Sequence, residues 1–351
     1  RNDVYMVGLN HKMGYRGSVN GVLEFGESGP CVGHLVGAPH QGLKQMFHMM
    51  NEVRVGTGLG AAGIGYAGLR YSVAYAEERP QGFKPGERDQ SKDEVMIIEH
   101  ADVRRMLLAQ KSYVEGSMHL VLYCSLLMDQ LAIAEGGGEG DADELGLVLA
   151  LLTPIAKAWT TEYCVDANRL AIQVLGGCGY THDYPVERLY RNNRLNAIVE
   201  GTNGIQAMDL LGRKVTMRQG AAMRAVMARM HKTIAQARED AALAPYADAL
   251  AATCERVGAT TMGVVTVAMR GDLEKFLANA TPYLHLLGHT VIAWLWLEQG
   301  RVIEAGLAKA PDDAFLNGKR QAMKYFFNWE LPRVEQWIKV LDPVDTTCLE
   351  M

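Results

Sequence analysis

The chain has 351 residues, 48% hydrophobic and 21% charged, with 35 basic and 40 acidic side chains for a formal net charge of −5. That length allows two or three domains with cores of their own, and the slightly acidic balance offers no basic field for a nucleic-acid backbone, which excludes nucleic acid as a main partner. Six cysteines, at 31, 124, 164, 178, 254 and 348, form no C-x-x-C pair and no His cluster has ligand spacing, so they read as free thiols in a reducing, cytoplasmic setting, with neither a disulfide frame nor a metal site.

The chain begins at Arg1 with no signal or transit pattern, so it reads as cut from something longer. Residues 1–38 read as the remnant of a β-domain. Strands are predicted at 4–7, 19–25 and 31–36, the last two joined by Gly26-Glu27-Ser28-Gly29-Pro30. Three short strands make no stable sheet alone, so they are expected to lack partners within the chain, and to be disordered or paired with another one.

From residue 39 the spacing turns helical. Segments 41–78, 97–135, 142–175 and 203–213 predict an antiparallel helical bundle over 39–217, with a charged loop at 87–94. The longest apolar run, 145–155, contains Pro154 and is too short to span a bilayer. Residues 218–351 predict an additional helical domain with segments at 218–239, 243–270, 273–298 and 313–327, expected to pack or oligomerise and to hold no cofactor. The fold class is therefore mainly α: a helical bundle preceded by a β remnant and followed by an extra helical domain.

Gly58-Leu59-Gly60-Ala61-Ala62-Gly63 matches the dinucleotide-binding G-x-G-x-x-G, but that motif requires a strand before it. Met46, Met49, Met50 and Val53 precede it at helical spacing. A close helix crossing explains these glycines better.

Two blocks are unusual: Gln173-Val174-Leu175-Gly176-Gly177-Cys178-Gly179-Tyr180 with Tyr184-Pro185-Val186-Glu187-Arg188, and Glu200-Gly201-Thr202-Asn203-Gly204-Ile205-Gln206. Glycines at a helix end bare backbone N–H groups and let a phosphate approach. A carboxylate between an apolar pair and Gly-Thr makes a poor core residue and a plausible site residue. On these blocks, with His11-Lys12-Met13-Gly14, Gly17-Ser18 and Glu78-Arg79, residues from about 10 to 215 resemble the acyl-CoA dehydrogenase family. The tail resembles the extra domain of one branch, which includes enzymes of 3-methylthiopropanoyl-CoA.

The resemblance implies FAD-dependent α,β-dehydrogenation of an acyl-CoA thioester to the trans-2-enoyl-CoA, within fatty acid metabolism. It implies Glu200 as the base. It implies that Gln173, Gly176 and Gly177 reach the FAD pyrophosphate of a neighbouring subunit, that Arg79 and His100 contact the same dinucleotide, and that Thr202 and Asn203 contact the flavin. Asn51, Arg54 and Gly201 fall to the acyl-CoA. The implied partners are an electron-transfer flavoprotein and further copies of the chain, as homodimer or homotetramer. An acyl-CoA oxidase, or a non-catalytic helical dimerisation fragment, is the alternative. Departures from the family pattern are Val199 for an aromatic residue, Asn192 for Asp, Gly204 for a side chain, and a longer stretch between Arg79 and His100. Val53, with Glu52 one step off, occupies the alternative base position and leaves the role with Glu200.

Overall fold

The computed structural model describes residues 1–350 other than 88 and 90, with the backbone alone at 47, 48 and 51. Two positions of the expected charged loop, 88 and 90, thus lie outside the described residues. Strands β1 (Val4–Leu9) and β2 (Gly21–Phe25) pair antiparallel as a two-stranded hairpin, Val4 opposite Phe25 and Leu9 opposite Gly21. This corrects two expectations: the strands find each other within the chain, and 31–36 is not a strand. Side-chain bonds tie the segment after β2 back to the N-terminus. The Asp3 carboxylate accepts from the N–H groups of Ser28 and Gly29 at 2.7 and 2.9 Å, and the Asn2 amide brackets Val32 at 2.8 and 3.0 Å. Backbone groups satisfied in this way have no call for a strand partner.

Helices α1 (Gly42–Glu78), α2 (Ala101–Glu135) and α3 (Ala142–Leu175) form the bundle. Asp141 starts α3 by accepting from the N–H groups of Asp143 and Glu144 at 3.0 and 3.1 Å, two of the four donors a helix start leaves unpaired. The G-x-G-x-x-G run lies inside α1. A close crossing accounts for Gly58, where a Cβ would sit 2.5 Å from the Ala156 carbonyl oxygen of α3, but not for Gly60 or Gly63, where a Cβ would meet nothing within 4 Å. Helix α2 is long and apolar enough to cross a membrane by length and composition. Here it packs on α1 and α3 and buries Gln110, Ser112 and Ser117 among them.

After α3 come a single turn, α4 (Gly177–Tyr180), then α5 (Val186–Arg194) and α6 (Asn203–Asp209). The helix expected over 203–213 changes pitch at Leu210 into a wider turn over Leu210–Lys214. The hairpin is strapped to α5: the Tyr15 N–H donates to Asn192 Oδ1 at 2.8 Å, and the Arg191 guanidinium donates to the Met13 carbonyl at 2.6 Å. Asn192 thus serves as a backbone acceptor.

The tail comprises α7 (Met217–Ala237), α8 (Ala244–Met269), α9 (Leu273–Ala278), α10 (Ala280–Leu307), α11 (Ala314–Tyr325) and α12 (Val334–Leu341). The segment expected over 273–298 breaks at Asn279, whose amide donates to the Asp345 carbonyl at 2.7 Å, and it resumes as far as Leu307. Helix α10 is buried along its middle. Gly288 lies on Trp159 of α3, and Gly116 of α2 lies under Ile292 and Trp296, so tail and bundle share one continuous core. His289, wholly buried, accepts from the Trp159 indole N–H at 3.0 Å and lies 3.8 Å from Glu330, which is ion-paired with Arg333 at 2.7 Å. It is a core histidine, bonded through Nδ1, while its Nε2 has no hydrogen-bond partner among the described residues.

Candidate active site

Helix α5 tightens into a turn at Leu195–Ala197, and the chain then reverses through two left-handed residues, Glu200 at φ +56° and Gly201 at φ +82°. Glycine adopts this conformation freely, whereas a side chain there costs of order 1–3 kcal/mol and persists only where its surroundings enforce it. The enforcement is visible. Gln206, fully buried on α6, donates its amide N–H to the carbonyls of Glu200 and Gly201 at 3.2 and 3.3 Å. Thr202 caps α6 by accepting from the Ile205 N–H at 3.4 Å. The Glu200 side chain itself is exposed on this chain.

Asn203 fastens the same turn to α3. Its amide donates to Glu162 Oε2 at 2.9 Å and to the Ala158 carbonyl at 3.3 Å. Its oxygen accepts from Thr161 at 3.0 Å and from the Lys157 ammonium at 3.1 Å. The expected flavin contact therefore has its side chain turned into α3. Lys157 is buried, and burial together with the nearby Arg54 pushes its pKa down to about 8 against the pull of Glu162 and Glu200. Arg54, expected at the substrate, forms a buried ion pair with Asp209 at 2.9 Å. Arg213 lies 3.5 Å from the other Asp209 oxygen. The side chain of Asn51 lies outside the described residues; its backbone is one turn before Arg54 on α1.

A second group gathers at the C-terminal end of α3. Gly176 has φ +59°, and a Cβ on Gly176 or Gly177 would meet nothing within 4 Å, so this turn presents open backbone beside the exposed Gln173. Tyr75 of α1 meets Tyr184 edge-on at 5.5 Å here. Arg79 ends α1 one turn further on and is exposed. The longer stretch to His100 does not separate the two residues. It folds back on itself, with Pro80 bridging Met96, the Val95 N–H donating to the Gly82 carbonyl at 2.9 Å, and His100 Nε2 at 2.8 Å from the Gln81 carbonyl.

The predicted residues thus divide between the middle of α3 and its C-terminal end. Lys157 and Gln173 are sixteen positions apart, roughly 24 Å of helix. Among the described residues no cluster of His, Cys, Asp or Glu could hold a metal. Sequence reasoning missed Lys157, Asp209 and Thr161. The one signal for Lys157 was a lone cation just after the apolar run of α3.

The model of the acyl-CoA dehydrogenase C-terminal domain matches residues 40–216, half of the chain, and a model described as acetyl-CoA dehydrogenase C-terminal like matches 226–351. A broad-specificity linear acyl-CoA dehydrogenase of Mycobacterium tuberculosis is 30% identical over the whole chain, which covers 59% of that relative. The 3-methylmercaptopropionyl-CoA dehydrogenase of Ruegeria pomeroyi is 32% identical over 91% of the chain and 53% of its own length. The chain therefore spans little more than half the length of these relatives. Among solved structures, an acyl-CoA dehydrogenase of Bacillus anthracis complexed with FAD matches with a TM-score of 0.74 at 18% identity, over 96% of this chain and 56% of that one.

Proposed function

The chain belongs to the acyl-CoA dehydrogenase family, and from that premise we propose that it carries the catalytic base and the helical half of the site in an enzyme that oxidises an acyl-CoA thioester to the trans-2-enoyl-CoA. The family is FAD-dependent, and the open glycine turn at Gly176-Gly177, with Gln173 beside it and Arg79 and His100 at the same end of the bundle, fits a dinucleotide phosphate approaching open backbone. When bound, FAD supplies the acceptor for the hydride lost from the β-carbon.

The work of this chain is the proton. Glu200 accepts the substrate's α-proton, and its left-handed backbone presents its own N–H to the thioester oxygen, where negative charge develops. Gln206 and Asn203 hold that geometry in advance, and fixed donors are most effective where water is excluded. The exposed Glu200 carboxylate gains its dry surroundings from groups that close over it. Because the two groups of site residues are separated along α3, the dinucleotide end serves a second copy of the chain, so the enzyme works as a homo-oligomer. The electron acceptor is an electron-transfer flavoprotein, and the setting is cytoplasmic.

The enforced left-handed turn at Glu200 is the observation that carries this reading. In flavin-loaded protein, Glu200→Gln should still bind FAD and acyl-CoA, while anaerobic bleaching of the flavin band slows by ~100-fold or more, the effect of losing a general base. Glu52→Gln should bleach normally. Near-normal bleaching in Glu200→Gln would assign the proton transfer to another carboxylate.

A further inference from the structure

Helices α7 and α8 leave a trough of about 590 Å³ between them, within the ~300–1,000 Å³ range of small-molecule sites. None of its lining residues belongs to either group of site residues. Its apolar walls are Val215, Met223, Met227, Met262, Val265 and Met269. Met262 and Met269 remain 68% and 82% exposed. Methionine is unbranched and adaptable, and suits a flexible apolar guest. The floor is Gly258, where a Cβ would meet nothing within 4 Å. A glycine inside a helix costs ~1 kcal/mol, and no close approach offsets that here.

The rim adds two features. Arg218, Gln219 and Gly220 are all left-handed, at φ +47°, +56° and +80°, and strain of this kind gathers at ligand clamps. The turn holds Arg224, whose guanidinium donates to the Gln219 carbonyl at 2.6 Å. Among the described residues no carboxylate lines the trough and none is ion-paired with Arg224, whereas neighbouring Arg218 is paired with Asp143 at 3.1 Å.

We propose that this trough binds a long unbranched aliphatic chain ending in a carboxylate, with its methylenes along the methionines and its head on Arg224. A peptide guest fits less well. It would bring backbone N–H and C=O groups that need partners, and the buried Thr261 hydroxyl is already bonded to the Val257 carbonyl and the Tyr283 hydroxyl at 2.6 and 2.9 Å. A second copy of the chain would need on the order of 1,000 Å² of fitted surface for a stable contact.

The test is titration of the chain with hexadecanoate, kept below its micellar concentration, by calorimetry and by displacement of a fluorescent polyene fatty acid. Gly258→Leu fills the floor with a good helix former, so its melting temperature should hold while affinity falls roughly tenfold or more. Arg224→Glu should weaken hexadecanoate by a similar factor, as loss of a charged hydrogen bond implies, and leave hexadecanol unaffected. Unchanged hexadecanoate affinity in Gly258→Leu would overturn the proposal. So would hexadecanol binding as tightly as hexadecanoate. If the chain bound no hexadecanoate and sedimented as a dimer that Gly258→Leu dissociates, the trough would be a contact between copies.

Discussion

Lys157 is a buried cation set beside Arg54 and beneath the loop that carries Glu200. Its pKa falls from 10.5 to about 8, chiefly through burial. Between those values the unfolded chain binds more protons than the native one, so this residue makes stability rise with pH across that window. Three buried thiols, Cys124, Cys164 and Cys254, act oppositely above pH 9, because burial pushes each from 9.0 up to about 12. The informative quantity is thus the difference between two stability curves. Lys157→Met is expected to gain on the wild type most at pH 7–8, with the gap narrowing towards pH 10.5 in urea melts. Parallel curves across the window would mean that the ammonium is not strained by its surroundings. At this scale the sequence showed only part of the site. Gln206 stood in the quoted motif, but its grip on two carbonyls depends on a reversal of the chain that no spacing reveals. Lys157 was hidden because α3 is buried on nearly every face, so position on the helix does not distinguish a site side from a core side.

The long helices were legible because their apolar spacing extends over many turns: the third segment, 142–175, coincides with α3. The short elements were not. Helix α5 has only nine residues, V-E-R-L-Y-R-N-N-R, and buries just Val186 and Asn193, so it carries too little apolar pattern to stand out from a loop. Where the third strand was expected, the Asn2 amide takes the Val32 N–H and carbonyl by side-chain bonds in place of a ladder. The hairpin's attachment is equally local. Gly14 rests on the Arg191 carbonyl, where a Cβ would sit 2.6 Å from the oxygen. Gly14→Ala should push the chain off α5, breaking the Tyr15–Asn192 and Met13–Arg191 bonds together. A two-stranded hairpin is marginal by itself, so protease cleavage within 1–38 should accelerate several-fold while the helical melt stays put. Unchanged cleavage would show that the strap does not hold the hairpin.

The division into 39–217 and 218–351 came from a change of pattern along the chain, and the core itself crosses that line. Trp159 of α3 is packed by Gly288 and hydrogen-bonded to His289, both of α10, while Trp296 of α10 donates to the Ser112 carbonyl of α2 at 3.2 Å. Removing the tail would therefore bare the apolar faces of α2 and α3, and truncation at 217 should give an insoluble or loosely packed chain rather than a working bundle. A milder test keeps the chain whole. In Gly288→Ala the new methyl would sit 2.6 Å from Trp159 Cδ1. The indole cannot swing away without breaking its bond to His289, so the variant is overpacked, at a cost of about 1–3 kcal/mol. If tail and bundle melt as one body, that cost falls on the whole molecule. Calorimetry should show a single transition in both proteins, its midpoint lowered in the variant by roughly a few degrees, with calorimetric and van't Hoff enthalpies in agreement. Two transitions, only one of them moved by the methyl, would instead describe two units in contact, each with a core sufficient for itself.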